Sequence, residues 1–236
     1  MEKVNPVTGE VYGTLKPNVD SVFSNGWNQT WKNFFELLLA QIIVFAASTP
    51  MFISGFVSSR VYYYEGPGLG FFLFFYGILI LAPMKYGMSY IYLQAARKES
   101  CDASGFGEAF KNYLNVILAS LLVSIITVAG FIFLFIPGII FVCKLAFVPY
   151  LVVERRLDAI EAIQKSWEMT RGYALDIFLI YFLYIPIQIA GFLALIVGTI
   201  PATMWCEVSM ASMYVAVEAK SLAERESADP TPVTLS

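Results

Sequence analysis

The sequence contains no histidine and only three cysteines among its 236 residues. Histidine is the commonest general base, the commonest metal ligand and a frequent axial ligand of haem, so its absence argues against many classes of enzyme and pigment protein. The cysteines lack the spacing of a disulfide framework or a zinc site, and we expect free thiols at Cys101, Cys143 and Cys206. No catalytic residue, metal site or cofactor is predicted, and we expect the protein not to be an enzyme.

Charged residues are also scarce, because they make up 14% of the chain while apolar residues make up 58%. This composition is far from that of a soluble globular protein and indicates an integral membrane protein. The first 30 residues are polar, so we expect the first long apolar run to be a membrane span and not a cleaved signal peptide. The chain has no basic patch interleaved with aromatic residues, which argues against a nucleic-acid partner.

Six apolar runs suit helices that cross a membrane. A hydrocarbon core about 30 Å thick needs roughly 20 apolar residues in a helix, and a helix satisfies its own backbone hydrogen bonds there. The segments "FIPGII" and "GTIPA" contain the proline and glycine that a tight turn at the membrane surface needs. The predicted spans are residues 34–57, 71–93, 114–135, 139–153, 174–197 and 201–217.

Lysine and arginine predict the orientation, because positively charged residues are retained on the cytoplasmic side of a membrane. The segments that join spans on one side of the membrane contain twelve such residues, whereas the other side contains only Arg60. We therefore predict that both termini lie in the cytoplasm. The twelve are Lys3, Lys16, Lys32, Arg97, Lys98, Lys111, Arg155, Arg156, Lys165, Arg171, Lys220 and Arg225.

One stretch of sequence occurs twice. "SNGWNQTWKNFFELLLA", residues 24–40, returns as "ASGFGEAFKNYLNVILA", residues 103–119, with five identities in 17 positions. A weaker third copy, "AIEAIQKSWEMTRGYALDIF", has Arg171-Gly172-Tyr173 in place of the Lys-Asn-aromatic triplet. The alternative is a chance likeness, since amphipathic helices before spans are common. Each copy predicts an amphipathic helix in the plane of the membrane interface. The predicted interfacial anchors are Trp27, Trp31, Phe106, Phe110 and Trp167.

The predicted fold is an all-α integral membrane fold of six transmembrane helices, arranged as three parallel hairpin repeats that each follow an in-plane amphipathic helix. Two spans per copy return the chain to the side on which it started, so the repeats are parallel and related by an axis along the membrane normal. The predicted membrane domain is residues 19–217, between a cytoplasmic segment, 1–18, and a disordered cytoplasmic tail, 218–236. The repeats cover about 19–98, 103–156 and 157–220.

The second span of each copy contains one ionisable residue, Lys85, Lys144 or Glu207. Each lies 11 to 13 residues before a cytoplasmic basic residue, which is roughly 16–20 Å along a helix and predicts a position near mid-membrane. A charge there is costly unless it is paired or faces water. We therefore predict one intramembrane charge network, which either fixes the packing of the hairpins or marks a substrate or ion pathway. The lysines could also meet an anionic lipid headgroup. A second polar layer is predicted at Glu36, Asn115 and Asp176.

The stretch "IPGIIFVCKLAFVPYLVVERRLDAIEAIQKSWEMTRGYALDIF", residues 136–178, resembles the bacterial multi-pass membrane domain that is fused to some glycerophosphodiester phosphodiesterases, and its stand-alone relatives of unknown function. The resemblance implies a six-span helical fold in the bacterial inner membrane. It implies no established activity, and no catalytic residue carries over because the phosphodiesterase barrel is absent. Glu154 is expected to pair with Arg171 or to cap the next helix. The matching elements are Pro137-Gly138, Lys144, Pro149, Glu154, Glu161-Ala162, Ser166-Trp167 and Thr170-Arg171-Gly172.

Two functions are compatible with these features. The first is a non-enzymatic membrane scaffold or accessory subunit that packs against partner membrane proteins or membrane lipids. The alternative is a small-solute or lipid transporter with its site at the repeat interface, around Lys85, Lys144 and Glu207. The spans lack an evident central pair interrupted by glycine or proline, of the kind that unwinds around a substrate, and this argues against the transporter.

Overall fold

The computed structural model describes residues 15–58, 67–102, 104–133, 135–194 and 197–228, and it is almost entirely helical, with no strand in these ranges. Five helical runs are long and apolar enough to cross a membrane, which fits a multi-pass membrane protein. They are Phe34–Ser54, Gly70–Ala96, Tyr113–Phe133, Ile136–Glu154 and Ala174–Leu193.

Eleven α-helices follow one another in the described residues, and a π-helical segment, Gly77–Leu81, joins α3 to α4 in one continuous run. The predicted spans therefore agree closely with α2, the run from α3 to α4, α6, the run from α7 to α8, and α10. The helices are α1 (Val19–Lys32), α2 (Phe34–Ser58), α3 (Pro67–Tyr76), α4 (Ala82–Ala96), α5 (Gly105–Lys111), α6 (Tyr113–Phe133), α7 (Phe135–Leu145), α8 (Val148–Glu154), α9 (Ala159–Met169), α10 (Ala174–Leu193) and α11 (Thr199–Ala228).

Two of the short helices, α1 and α5, each end at an asparagine. Asn33, between α1 and α2, has φ −110° and ψ 32°, and Asn112, between α5 and α6, has nearly the same angles, φ −115° and ψ 37°. The carbonyl of each asparagine accepts the first hydrogen bond of the long helix that follows, at 3.0 Å. The repeated Lys-Asn-aromatic triplet thus encodes the same change of direction twice, because both asparagines leave the helical region of backbone space while their neighbours remain in it.

The corresponding change of direction before α10 occurs at Tyr173, one residue later than the sequence alignment predicts. The Tyr173 carbonyl accepts a hydrogen bond from the Ile177 amide at 3.0 Å, as the two asparagine carbonyls do in their helices. The additional residue is Gly172, whose φ of +90° is accessible to glycine and strained for other residues. The predicted triplet Arg171-Gly172-Tyr173 therefore lies one residue out of register.

Helix α11 lies at the centre of the fold. Nearly every residue from Met204 to Val217 is buried, against α1, α4, α8 and α10. Tyr214 packs its ring on Phe147 and Tyr150, with centroids 5.5 and 5.2 Å away. A helix that is surrounded by protein has no need of the hydropathy that contact with lipid demands, which explains why α11 is not among the five apolar runs although residues 201–217 form the predicted sixth span.

Helix α1 is held against α11 and α4 by a buried polar side chain. The amide nitrogen of Asn25 donates to Oγ of Ser212 at 2.9 Å and to the carbonyl of Ala96 at 3.1 Å. A buried amide that uses both protons in this way fixes orientation as well as position. Seven residues before Ser212 on α11, the indole nitrogen of Trp205 donates to the Phe23 carbonyl of α1 at 3.0 Å.

The outer helices show the opposite distribution, with large apolar side chains that point away from the protein. Phe133 is 82% exposed, Leu175 78%, Phe35 and Ile132 77%, and Leu193 77%. Apolar patches of this extent on a protein surface indicate contact with lipid or with another protein.

Some sequence predictions concern residues that the structure does not describe, and the prediction for the carboxy-terminal tail differs from the structure. Arg60, the loop 59–66, residues 1–14 and residues 229–236 lie outside the described residues. Helix α11 continues to Ala228, well into the tail for which we predicted disorder. Its last turns are rich in alanine, glutamate, lysine and arginine, which favour a helix once the preceding turns have formed.

The contact between α1 and α11 depends on a glycine. A methyl group at Gly26 would lie 2.1 Å from Oγ of Ser209 and 3.0 Å from its backbone nitrogen. We expect Gly26→Ala to lower the free energy of unfolding by about 1–3 kcal/mol, because the helices must separate. Thermal unfolding in detergent measures this loss.

The matched control is Gly107→Ala in α5, where a methyl group would meet nothing within 4 Å. This variant is expected to unfold at or above the parental temperature. If the two variants unfold alike, the close approach of α1 and α11 at Gly26 is wrong.

Candidate functional site

The run from α7 to α8 bends just after Lys144. Helix α7 ends at Leu145 and α8 begins at Val148. Pro149 explains the break, because proline has no amide hydrogen for the Leu145 carbonyl four residues earlier, and its ring crowds that carbonyl. The spans lack a central pair interrupted by glycine or proline, so the sequence did not predict this bend.

The polar groups at the bend are satisfied by a side chain from α9. The hydroxyl of Ser166 donates to the Lys144 carbonyl at 2.7 Å, and the Phe147 amide donates to Oγ of Ser166 at 3.3 Å. Ser166 is fully buried, and the Thr170 hydroxyl lies 3.5 Å from the same carbonyl oxygen. Buried backbone groups freed by a bend need such partners, and a serine hydroxyl can both donate and accept.

The Lys144 ammonium is held by the same turn of α9. Its Nζ lies 5.8 Å from the ring centroid of Trp167, which also packs on Phe141 with 5.8 Å between centroids. A cation over an indole face is attracted by the ring quadrupole. In the described residues Lys144 forms no ion pair with a carboxylate.

The structure divides the predicted charge network into two parts. Lys85 is exposed on α4, Glu207 is partly buried on α11, and the two charges interact electrostatically without direct contact. Lys144 belongs instead to its own cluster with Trp167. Side chains at matching positions of the three helices thus have different neighbours, and the described contacts link Lys85 with Glu207 but not with Lys144.

Several polar groups near Glu207 were missed by sequence reasoning. The Tyr92 hydroxyl donates to Oε1 of Gln41 at 2.8 Å, and Nε2 of Gln188 donates to Oγ1 of Thr203 at 3.0 Å. Tyr92, Tyr150 and Tyr184 all interact electrostatically with Glu207. Isolated glutamines and tyrosines inside apolar runs were the available signal, but their spacing does not reveal that they meet.

A cluster of charges joins the carboxy-terminal ends of α4 and α8 to the second half of α11. Arg97 pairs with Glu154 and, at 2.7 Å, with Glu218, while Arg155 pairs with Glu218 as well. The Tyr214 hydroxyl donates to Glu154 at 2.7 Å. The side chains of Arg97, Glu154 and Glu218 are only 9%, 15% and 12% exposed. The expected pairing of Glu154 with Arg171 is therefore wrong, because α4 supplies the nearer arginine.

The residues of the predicted second polar layer, Glu36, Asn115 and Asp176, lie at the starts of α2, α6 and α10 and interact locally. Nδ2 of Asn115 donates to Oδ1 of Asn112 at 2.9 Å, and Nδ2 of Asn112 donates to the Val152 carbonyl at 3.1 Å. These bonds attach the start of α6 to the end of α8. Glu36 and Asp176 lie in the first turns of α2 and α10, where a negative charge interacts favourably with the helix dipole.

The thiol of Cys101, in the segment that follows α4, is not activated. Burial, followed by the nearby carboxylates of Glu36 and Glu99, raises the pKa of Cys101 to about 12. A nucleophilic cysteine needs a lowered pKa, so this thiol is inert at neutral pH. All three cysteines are free thiols. No three metal-ligating acidic, cysteine or histidine side chains gather in the part of the chain that the structure describes.

Glu108 of α5 forms ion pairs with Lys111 and with Arg156, the latter at 3.1 Å. The hydrogen bond from Lys111, and then that from Arg156, lower the pKa of Glu108, although partial desolvation opposes them. Arg156 has φ 52°, so this contact helps to hold the turn after α8 in a sparsely populated conformation. A lowered pKa means that the contact stabilises the fold above the ordinary pKa of glutamate and is lost as the pH falls through the lowered value.

The predicted interfacial anchors lie mostly on outer faces. Trp27, Trp31, Phe110 and Trp167 are between 42% and 51% exposed. Phe106 is only partly exposed, because its backbone packs against Gly87 of α4. Trp27 and Trp31 also line an apolar groove of about 240 Å³, whose other walls come from α10 and α11.

The ionic cluster predicts a specific loss of stability. Glu218→Gln removes the carboxylate that Arg97 and Arg155 share, and leaves two arginines with reduced compensation in a mostly buried site. We expect the free energy of unfolding to fall by an amount on the order of 3 kcal/mol. Chemical denaturation in detergent, followed by tryptophan fluorescence, measures the change.

Glu161→Gln provides the comparison, since Glu161 is an exposed residue of α9. Its stability is expected to stay within about 0.5 kcal/mol of the parent. Equal effects of the two substitutions would mean that the cluster contributes nothing beyond a surface charge.

No family model matches the sequence, and neither a curated protein nor a solved structure matches it.

Proposed function

We propose that the protein crosses the membrane six times, with α11 as the sixth span. Helix α11 has 30 residues, a length of roughly 45 Å, which exceeds a hydrocarbon core. Glu207 of α11 interacts electrostatically with Tyr92 of α4, and further along both helices Glu218 pairs with Arg97, so the two helices run in the same direction. A helix that lies alongside a span in this way shares the membrane with it.

Three equivalent sets of buried positions support three repeats. Counted from Asn33, Asn112 and Tyr173, the fourth and seventh following residues are all at most 2% exposed, and the seventh preceding residue is buried in each copy. The sets are Leu37, Val116 and Ile177; Ala40, Ala119 and Ile180; and Gly26, Gly105 and Ser166.

The packing of the short helices supports a closed ring. Gly105 of α5 lies against Ile91 of α4, and Ser166 of α9 binds the bend between α7 and α8, so each short helix contacts the second span of the preceding copy. Gly26 of α1 lies against Ser209 of α11, the second span of the last copy. The same relation thus closes on itself, as a pseudo-threefold arrangement requires.

The exposed aromatic residues support an interfacial position for the short helices. Trp27, Trp31, Phe110 and Trp167 face outwards from α1, α5 and α9, each near Lys or Arg residues. Amphipathic helices with this pattern lie at the boundary of headgroups and acyl chains. Together with the excess of Lys and Arg on the same side, this supports our proposal that both termini lie in the cytoplasm. The inner membrane of a bacterium is the location that the family resemblance implies.

Within this architecture, we propose a non-enzymatic scaffold or accessory subunit that packs against partner membrane proteins or lipids. The observation that supports it is the contrast between interior and exterior. Arg97, Glu154 and Glu218 are engaged with one another in the interior, while many large apolar side chains point outwards. Such a molecule offers contact surface and a rigid framework.

One exposed stripe makes the proposal concrete. Phe35, Leu39, Ile42 and Phe45 follow one another on the outer face of α2, and each is more than half exposed. A continuous exposed apolar face of this kind is a surface for contact with lipid or with a partner protein. We therefore expect α2 to contribute to the surface that meets a partner.

A transporter is the second candidate, and two irregular helices favour it. The π-helical segment Gly77–Leu81 precedes Lys85, and the bend at Ala146 and Phe147 follows Lys144. Interrupted helices beside charged residues are a common feature of substrate sites in transporters. The electrostatic interaction of Lys85 with Glu207 adds a pair of charged groups beside the π-helical segment.

Photo-cross-linking in intact cells distinguishes the two candidates. A photoreactive amino acid at Leu39 or Ile42 is expected to yield one protein adduct of defined mass, and the same adduct should co-purify in mild detergent in a fixed ratio. The matched position is Ile189 of α10, an equally exposed residue on another face. A monomer without adducts at any of these positions, whose folded Lys85→Met variant loses solute flux, would establish the transporter instead.

The topology has a separate test. A green fluorescent protein fused after Ser236 fluoresces only if it folds in the cytoplasm, and six spans predict bright fluorescence when the amino terminus is also cytoplasmic. An alkaline phosphatase fusion at the same position is expected to be inactive, because that enzyme needs the periplasm. The opposite pair of results would put the carboxy terminus on the outer side and overturn the proposed topology.

A further inference from the structure

Lys144 is a cation without a protein counter-ion inside a run of apolar residues. It lies in the candidate span Ile136–Glu154, and the described residues provide it with no ion pair. The basic residue that acts on Glu207 is Lys85. A charged ammonium in a membrane needs compensation by water, by a partner or by a lipid.

Helix α9 prepares the position of this ammonium from two sides. Ser166 binds the Lys144 carbonyl at 2.7 Å, and Trp167, the next residue, lies beneath the ammonium at 5.8 Å from its ring centroid. The backbone and the charged end of Lys144 are therefore both restrained by consecutive residues. Restraint of this kind lowers the entropy lost when a ligand binds.

The surroundings of Lys144 match the shape of a phospholipid. Ile140 and Ile136 precede it by four and eight residues, so the three side chains form one stripe along α7. Ile140 is 46% exposed and Ile136 is 71% exposed. A charge at one end of an exposed apolar stripe is complementary to a phosphate with an acyl chain below it.

The contacts with α9 bring the site towards the interface, and this step rests on the interfacial position proposed for α9. The run from α7 to α8 bends between Leu145 and Val148, and Ser166 and Trp167 contact Lys144 there, so Lys144 lies at the level of α9 and not at the mid-membrane depth that the sequence predicts. A lysine side chain extends toward the interface while its stem stays in the apolar region. Trp167, 42% exposed, lies at the same level, as tryptophans at membrane interfaces do.

We propose that Lys144 and Trp167 bind the phosphate of an anionic phospholipid in the cytoplasmic leaflet, with an acyl chain along Ile140 and Ile136. The ammonium donates hydrogen bonds to the phosphate oxygens, and the indole ring forms one wall of the site. A lipid is favoured over a soluble phosphate because an acyl chain can pack on the exposed isoleucines, whereas inorganic phosphate has no apolar part to do so.

The matching position in the first repeat lacks these features. Lys85 interacts with Glu207, so its charge is already partly compensated. The residue four positions before Lys85 is Leu81, which is 5% exposed and offers no surface to an acyl chain. Lys85 is therefore the internal comparison for Lys144.

Native mass spectrometry of the purified protein, titrated with phosphatidylglycerol or with phosphatidylcholine of the same chain length, tests the proposal. We expect phosphatidylglycerol to bind more tightly than phosphatidylcholine, and Lys144→Met to weaken phosphatidylglycerol binding about tenfold. Lys144→Arg is expected to keep most of the affinity, because the positive charge and the contact with Trp167 remain. Lys85→Met is expected to bind as the parent does.

Thermal unfolding of each variant in the same detergent confirms that it is folded. Equal binding by Lys144→Met and the parent, or equal losses for Lys85→Met and Lys144→Met, would overturn the proposal. Millimolar inorganic phosphate in place of lipid is expected neither to bind nor to compete, and competition by it would assign the site to a soluble anion. The titration needs no partner protein, so its failure is distinct from failure of the cross-linking experiment.

Discussion

The ion pairs among Arg97, Glu154 and Glu218 hold together the three helices on which the rest of the fold is assembled. They join the carboxy-terminal ends of α4 and α8 to the second half of α11, and Arg155 and Tyr214 extend the cluster. Two acidic and two basic groups share a site that is largely closed to water, so each charge depends on the others. The short helices α1, α5 and α9 pack around these three helices.

The second constraint is the hydrogen bonding of the backbone where a helix changes direction. At Asn33 and Asn112 the asparagine carbonyl begins the next helix, so the change of direction leaves few groups unpaired. At the bend after Lys144 the helix cannot satisfy itself, because Pro149 removes a donor, and Ser166 arrives from α9 to complete the set. Such a bend is stable only while α9 is in place, which couples α9 to the run from α7 to α8. The same contact that stabilises the fold also positions Lys144 and Trp167, so the proposed lipid site is a consequence of the way these helices are joined.

The distribution of apolar residues connects this architecture with the proposed role. In a soluble protein the exposed phenylalanines and leucines of α2, α6 and α10 would cause aggregation, whereas in a membrane they face a solvent that suits them. The central helix α11, by contrast, includes Ser209 and Ser212 in fully buried positions. Its neighbours are protein, and small polar residues allow helices to approach closely there. A rigid interior with an extended apolar exterior is what a scaffold needs.

The sequence by itself determined the elements that depend on local chemistry. Apolar runs of sufficient length are helices because the backbone must bond to itself in lipid, so five of the six predicted spans could be placed within a few residues. The Lys-Asn-aromatic repeat likewise predicted two matching changes of direction. Only the tertiary structure decided which side chains meet: Glu154 with Arg97 and not Arg171, Lys85 near Glu207, and Lys144 over Trp167. These pairings depend on the rotation and height of each helix relative to its neighbours, which are set by contacts such as Gly26 with Ser209. A periodic pattern along one helix contains no information about the face that a distant helix will present to it.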